Sequence, residues 1–151
     1  MYMKRTIVLV LTLFCIALPA STQEVDFSVD LAALHEAAAT GDDSNIPFGR
    51  LFVLDGDVGS VSLVSDSEAD FYAEVELISG RWEGDEEIEL HRAIIIFDDY
   101  RFSELFLQDS PDKLELGQYI LVLSDYLGLG NDYDAEHLVP VIDVVDIRIL
   151  Y

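Results

Sequence analysis

Cysteine is almost absent: the chain of 151 residues has one, Cys15. It stands in the apolar run Ile7–Leu18, behind the basic start Met1-Tyr2-Met3-Lys4-Arg5 and ahead of Pro19, Ala20 and the polar stretch Ser21–Glu24. A charged start, a short apolar run and a small residue at the cut mark a secretory signal peptide, and a membrane-spanning helix would need about 20 apolar residues. Cleavage after Ala20 is expected, with export to the periplasm or the extracellular space. Leu13 and Phe14 stand where lipid attachment at Cys15 would want small residues. Once residues 1–20 are removed the chain has no thiol, which excludes a disulfide, a cysteine nucleophile and a thiolate metal site.

Positive charge is the second scarcity. Eight Lys and Arg face thirty Asp and Glu. Lys4 and Arg5 leave with the signal, so six bases (Arg50, Arg81, Arg92, Arg101, Lys113 and Arg148) remain against all thirty acids, a formal charge of −24. Phosphate backbones and anionic lipid heads need Lys or Arg to bind. The expectation is therefore no nucleic-acid partner and no peripheral binding to anionic membranes. The acids themselves leave two readings open: a solvated surface that keeps an exported protein soluble, or carboxylates converging on a divalent cation or a basic partner. No Gly-x-Ser-x-Gly elbow, His-Glu-x-x-His motif, phosphate loop or dinucleotide fingerprint occurs, so an enzyme is not expected.

What is abundant is apolar sequence in short alternating runs, with no repeat or linker to divide residues 21–151, which read as a single acidic β-barrel domain. Ser28 to Gly41 predicts a short helix: Ser28 as cap, Asp30 in the first turn, Gly41 as the stop, and Leu31, Leu34 and Ala38 on one face. His35 falls beside that face and reads as a surface residue. Arg50–Leu54 and Val58–Val64 predict two halves of one long strand, with a kink, bulge or tight turn at Asp55-Gly56-Asp57. Phe71–Ile78 alternates, with Phe71, Ala73, Val75 and Leu77 opposite Tyr72, Glu74, Glu76 and Ile78. After a turn at Gly80–Asp85 comes a strand from Glu87 to Phe97, then one or two helical turns within Tyr100–Gln108. Strands over Leu116–Ser124 and Leu138–Leu150 follow, separated by a Gly- and Asp-rich loop from Asp125 to Glu136.

A long bent strand, a two-stranded hairpin, a short helix and two more strands resemble the OB-fold in their order over residues 48–150. The expected class is mainly β: a small five-stranded OB-like Greek-key barrel, with a short N-terminal helix and a short helix between strands three and four. The resemblance implies a ligand face on strands two and three, flanked by loops. On that face Tyr72 is interleaved with Glu74 and Glu76 where a nucleic-acid groove would carry Arg or Lys.

Three sets of site residues follow. Trp82, in a turn between strands and near Tyr72, reads as an anchor for a sugar or a protein surface. Asp55 and Asp57 resemble the start of a calcium loop. Gly59, however, stands where a third alternate ligand belongs and Asp66 occupies the twelfth place, so an ordinary Asp/Gly turn is the other reading. Asn131, Asp132, Asp134 and Glu136 could gather oxygens around calcium, or form a solvated connection. The expected function is an exported, non-enzymatic binding or accessory domain for a protein or a neutral or basic polymer, with no cofactor. The alternatives are a calcium-binding exported protein and a small exported hydrolase.

Overall fold

The structure, a computed structural model, describes residues 24–82, 88–133 and 135–150, and the side chains of Arg81 and Trp82 fall outside that description. The expected signal segment, residues 1–20, lies outside the described residues. In chain order the elements are β1 (Val25–Asp26), α1 (Leu31–Thr40), β2 (Leu51–Ser65), β3 (Tyr72–Trp82), β4 (Ile88–Phe97), a 3₁₀ helix (Tyr100–Phe106), β5 (Tyr119–Asn131) and β6 (Leu138–Leu150). The two-residue β1, parallel to the start of β2, has no signature in the sequence.

β2 does two jobs. Its first half, Leu51–Asp57, pairs antiparallel with β5, and from Asp57 onward it pairs antiparallel with β3. β3 pairs with β4, β4 runs parallel to β6, and β6 returns antiparallel to β5. The order β2-β3-β4-β6-β5, closed by β2–β5, is the five-stranded barrel of an OB-like fold. One strand serving two neighbours must bend where it changes partner, and glycines permit it. A Cβ on Gly56 would lie 2.6 Å from the carbonyl oxygen of Ile78 in β3. The register slips between Val58 and Ser60, placing a bulge at Gly59. The Asp55-Gly56-Asp57 segment is thus a bend inside a continuous strand.

Alternation fills the barrel. Ala73, Val75 and Leu77 of β3, Ala93, Ile95 and Phe97 of β4, Ile120 and Val122 of β5 and Ile142 of β6 are fully enclosed. Phe102 and Phe106 of the 3₁₀ helix pack edge-on against Phe97 at 5.3 and 5.2 Å between ring centres, beyond the far end of β4. α1 packs on β4 and β6 with Leu31 and Leu34 buried. Its cap is Asp30, whose carboxylate accepts the Ala33 N–H at 2.8 Å, and Gly41 closes it at φ 67°. Ser28, the expected cap, instead donates to Asp26 just upstream.

β5 extends through Gly128 and Gly130 to Asn131, so the expected loop from Asp125 to Glu136 shrinks to residues 132–137. The reason is lateral pairing: Gly128, Gly130 and Asn131 each hold register with β6, and a Cβ on Gly130 would lie 2.7 Å from Val141 Cγ2. Strand partners override the low β-propensity of glycine.

Gly56→Ala is expected to lower unfolding free energy by about 1–3 kcal/mol, because the added methyl meets backbone that has no room to move. The exposed Ser62→Ala should stay within about 0.5 kcal/mol of the parent. Urea denaturation of both variants measures the difference, and equal midpoints would refute the close-approach account.

Candidate functional site

The outer face of β3 and β4 is not left bare. Ile94 points outward by alternation yet is 8 % exposed, which means that something lies over the sheet. Outward residues Glu74 and Glu76 of β3 stand opposite Ile96 and Ile94 of β4, which in turn stand beside Asp143 and Val141 of β6. The end of β5 and the following connection, Asn131 to Tyr133, fold back over this row. Together they enclose a cleft of about 460 Å³, its lining formed by Ile94, Ile96, Val139 and Val141 with Tyr72, Glu74 and Asn131–Tyr133.

Two polar ties hold the cover down. Glu74 accepts the Tyr72 hydroxyl at 3.1 Å through Oε1 and the Tyr133 hydroxyl at 3.2 Å through Oε2, so one carboxylate orients both aromatic rings. Arg92 donates from Nε to Glu76 at 2.5 Å, and from its Nη atoms to both oxygens of Asp132 at 3.0 and 3.4 Å. A guanidinium is the one side chain that can hold two carboxylates on separate elements in this way. Burial and the bond to Glu74 push the Tyr72 phenol up to about 12, and burial followed by Glu74 raises that of Tyr133. Both therefore stay hydroxyl donors through the physiological range.

On the other side of Arg92, a second cavity of about 680 Å³ separates α1 from the β5–β6 connection and is lined by His35, Asp132, Glu136 and His137 among others. His35, expected at the surface, lies against the buried His91 with ring centres 5.4 Å apart. Burial first, then the His91 ring, holds His35 below its ordinary value. His91 Nε2 is 3.4 Å from Glu89.

One row along from the cleft floor, Asp125 and Asp143 face each other directly across β5 and β6. Each has a buried Oδ1 without a hydrogen-bond donor among the described residues. Burial, then Asp98, then Asp125 push the Asp143 carboxyl up, while the Val144 N–H and Arg101 partly oppose the shift.

The residues singled out from the sequence are scattered by this arrangement. Tyr72 and Asp132 belong to the cleft, and Asn131 lines its rim. Asp55 and Asp57 are exposed on β2 near the start of β5, with Asp55 accepting the Tyr119 hydroxyl, whereas Asn131 ends β5. Glu136 faces the α1 cavity. Asp134 and the Trp82 side chain fall outside the described residues. Among the described residues, no three His, Cys, Asp or Glu side chains stand close enough to hold a metal ion. Sequence reasoning missed Arg92 and Tyr133. The usable signal for Arg92 was a lone base on a strand face otherwise carrying acids and isoleucines.

No family model and no curated protein matches the chain. Solved structures similar to it include the small single-stranded DNA-binding protein of Streptomyces coelicolor (11 % identity, 66 % of this chain and 93 % of that one, TM-score 0.48). The Plasmodium falciparum SSB in complex with single-stranded DNA shares 15 % identity over 67 % of this chain and 94 % of that one, TM-score 0.46. A mitochondrial single-stranded DNA-binding protein of S. cerevisiae shares 13 % over 66 % and 92 %, TM-score 0.42. At such identities the likeness speaks for the fold alone. Those neighbours are named for single-stranded DNA, and two expectations from the sequence stand corrected against them: that nucleic acid is excluded as a partner, and that the ligand is a protein or a neutral or basic polymer. The exclusion rested on formal charge summed over the whole chain, which governs steering and solubility rather than what a local surface holds. It also took no account of partners: Glu76 is paired with Arg92, and Glu74 accepts from two phenols.

The Asp125–Asp143 pair gives a pH prediction. A carboxyl whose folded-state value is raised destabilises the fold when ionised, so that penalty is absent below the ordinary value of 3.8 and grows as pH rises through the raised one. Asp143→Asn should raise the melting temperature at neutral pH and lose the advantage in acid. An unchanged or lower melting temperature at neutral pH would refute this reading.

Proposed function

We propose that the chain is a non-catalytic OB-fold domain that binds single-stranded nucleic acid through its bases, in the cleft between the outer face of β3–β4 and the β5–β6 connection. The observation that carries the proposal is the pair Tyr72 and Tyr133, anchored by the single carboxylate of Glu74 above an apolar floor. Fixed aromatic rings on this face of an OB barrel are a stacking platform for bases.

Charge sets the mode and the strength. Among the described residues no Arg or Lys lines the cleft, and Arg92 beside it is already matched by two carboxylates, which leaves nothing there to neutralise a phosphate track. Stacking is worth about 1–3 kcal/mol per base, and two rings therefore supply about 2–6 kcal/mol. Since a millimolar dissociation constant corresponds to about 4 kcal/mol, binding near the millimolar range is expected, far weaker than a basic OB groove achieves. Export, read from Met1–Ala20, forms part of the same proposal, and places the ligand in the periplasm or outside the cell.

Titration of the isotope-labelled domain with a short oligodeoxynucleotide, followed by NMR, tests the proposal. Shift changes are expected at Tyr72, Tyr133, Ile94 and Ile96. Tyr72→Ala and Tyr133→Ala should each weaken binding by about five- to a hundredfold, the equivalent of one stacked base. Absence of shifts at millimolar oligonucleotide, or shifts confined to another face, would refute it.

A further inference from the structure

The hydrogen-bonding edge of the cleft is lopsided. Both phenol donors of the cleft are already directed at a carboxylate, Tyr72 and Tyr133 at Glu74, and Arg92, which lines the neighbouring cavity and not this one, points three of its N–H groups at Glu76 and Asp132. A carboxylate, by contrast, has about four acceptor positions, and Glu74 uses two of them on the phenols. Spare capacity in the cleft is thus acceptor capacity, at Glu74 and Asp132. Asn131, with one acceptor and one donor group on its amide, adds no bias.

A base stacked between the tyrosines presents its edge to those acceptors. Cytosine and adenine carry an exocyclic amino donor, and a carboxylate accepts from such a group. Thymine and uracil place a carbonyl oxygen where cytosine has its amino group, and their one donor on that edge, N3–H, lies between two carbonyl oxygens that a carboxylate repels. We infer that the cleft selects bases bearing an exocyclic amino group, cytosine over thymine in particular, and that Glu74 is the residue that makes the choice. The inference rests on the base-binding reading above.

Comparing an oligodeoxycytidylate with an oligothymidylate of equal length isolates this effect. The two strands carry the same phosphate charge and pyrimidine rings of the same size, so repulsion and ring overlap nearly cancel. The expected result is about fivefold or greater preference for the cytosine strand, in line with one charge-assisted hydrogen bond. Glu74→Gln keeps the length and still accepts from a tyrosine, but puts an amide donor in place of one acceptor; it should erase or invert the preference. Equal affinity of the wild-type domain for both strands would overturn the selection while leaving base binding standing. A preference retained in the variant would overturn the assignment to Glu74. Failure of both strands to bind would instead overturn the base-binding reading. The wild-type comparison decides the selection by itself if the variant does not fold.

Discussion

The change of partner along β2 is the constraint from which the rest of the molecule follows. Because the strand leaves β5 and joins β3 around Asp57, the sheet closes, and closure sorts every alternating strand into an inside and an outside. The inside takes Phe52, Leu54, Val75, Ile95, Phe97 and Ile142. Closure also brings β6 beside β4 in parallel, and only that adjacency sets Val141 and Asp143 next to Ile94 and Ile96. The cleft floor is therefore a consequence of topology, built from residues far apart in sequence.

The outer face then shows how an acidic chain can keep a usable surface. Of its outward carboxylates, Glu74, Glu76 and Asp132 all have donors, and those donors double as the ties that hold the β5–β6 connection over the sheet. Removing Arg92 would cut one of the two ties on the cover and leave the partly buried Glu76 and Asp132 without their cation, which is why a single guanidinium matters more here than its share of the net charge suggests. Asp125 and Asp143, each with one buried oxygen that has no donor among the described residues, mark the stretch of this face where the same solution was not applied.

The barrel was largely legible in the sequence, since period-two alternation at Phe71–Ile78, the two-sided apolar run ending in Phe97 and the exact span of Leu138–Leu150 are local signals. An irregularity at Gly56 was legible too, but kink, bulge and tight turn all fitted the residues, and only the pairing of β2 with both β5 and β3 makes it a bend. What could not be read was anything set by lateral neighbours. The extension of β5 through Gly128 and Gly130 depends on β6, the role of Arg92 on the register of β3 against β4, and the contact of His35 with His91 on where α1 lands. The ligand class was misjudged for a related reason: composition reports the charge of a surface but not which of its groups are already satisfied.

Salt dependence probes the central claim, that this domain holds bases and leaves phosphates to the solvent, more directly than any substitution. A groove that neutralises phosphates loses affinity for single strands with a slope of about −0.7 per phosphate contacted when log K is plotted against log salt. Here the surrounding charge is repulsive, so screening by added salt should leave the affinity for a single-stranded oligonucleotide level or raise it. An affinity that falls steeply as salt increases would contradict the account, as would no measurable binding at any salt concentration.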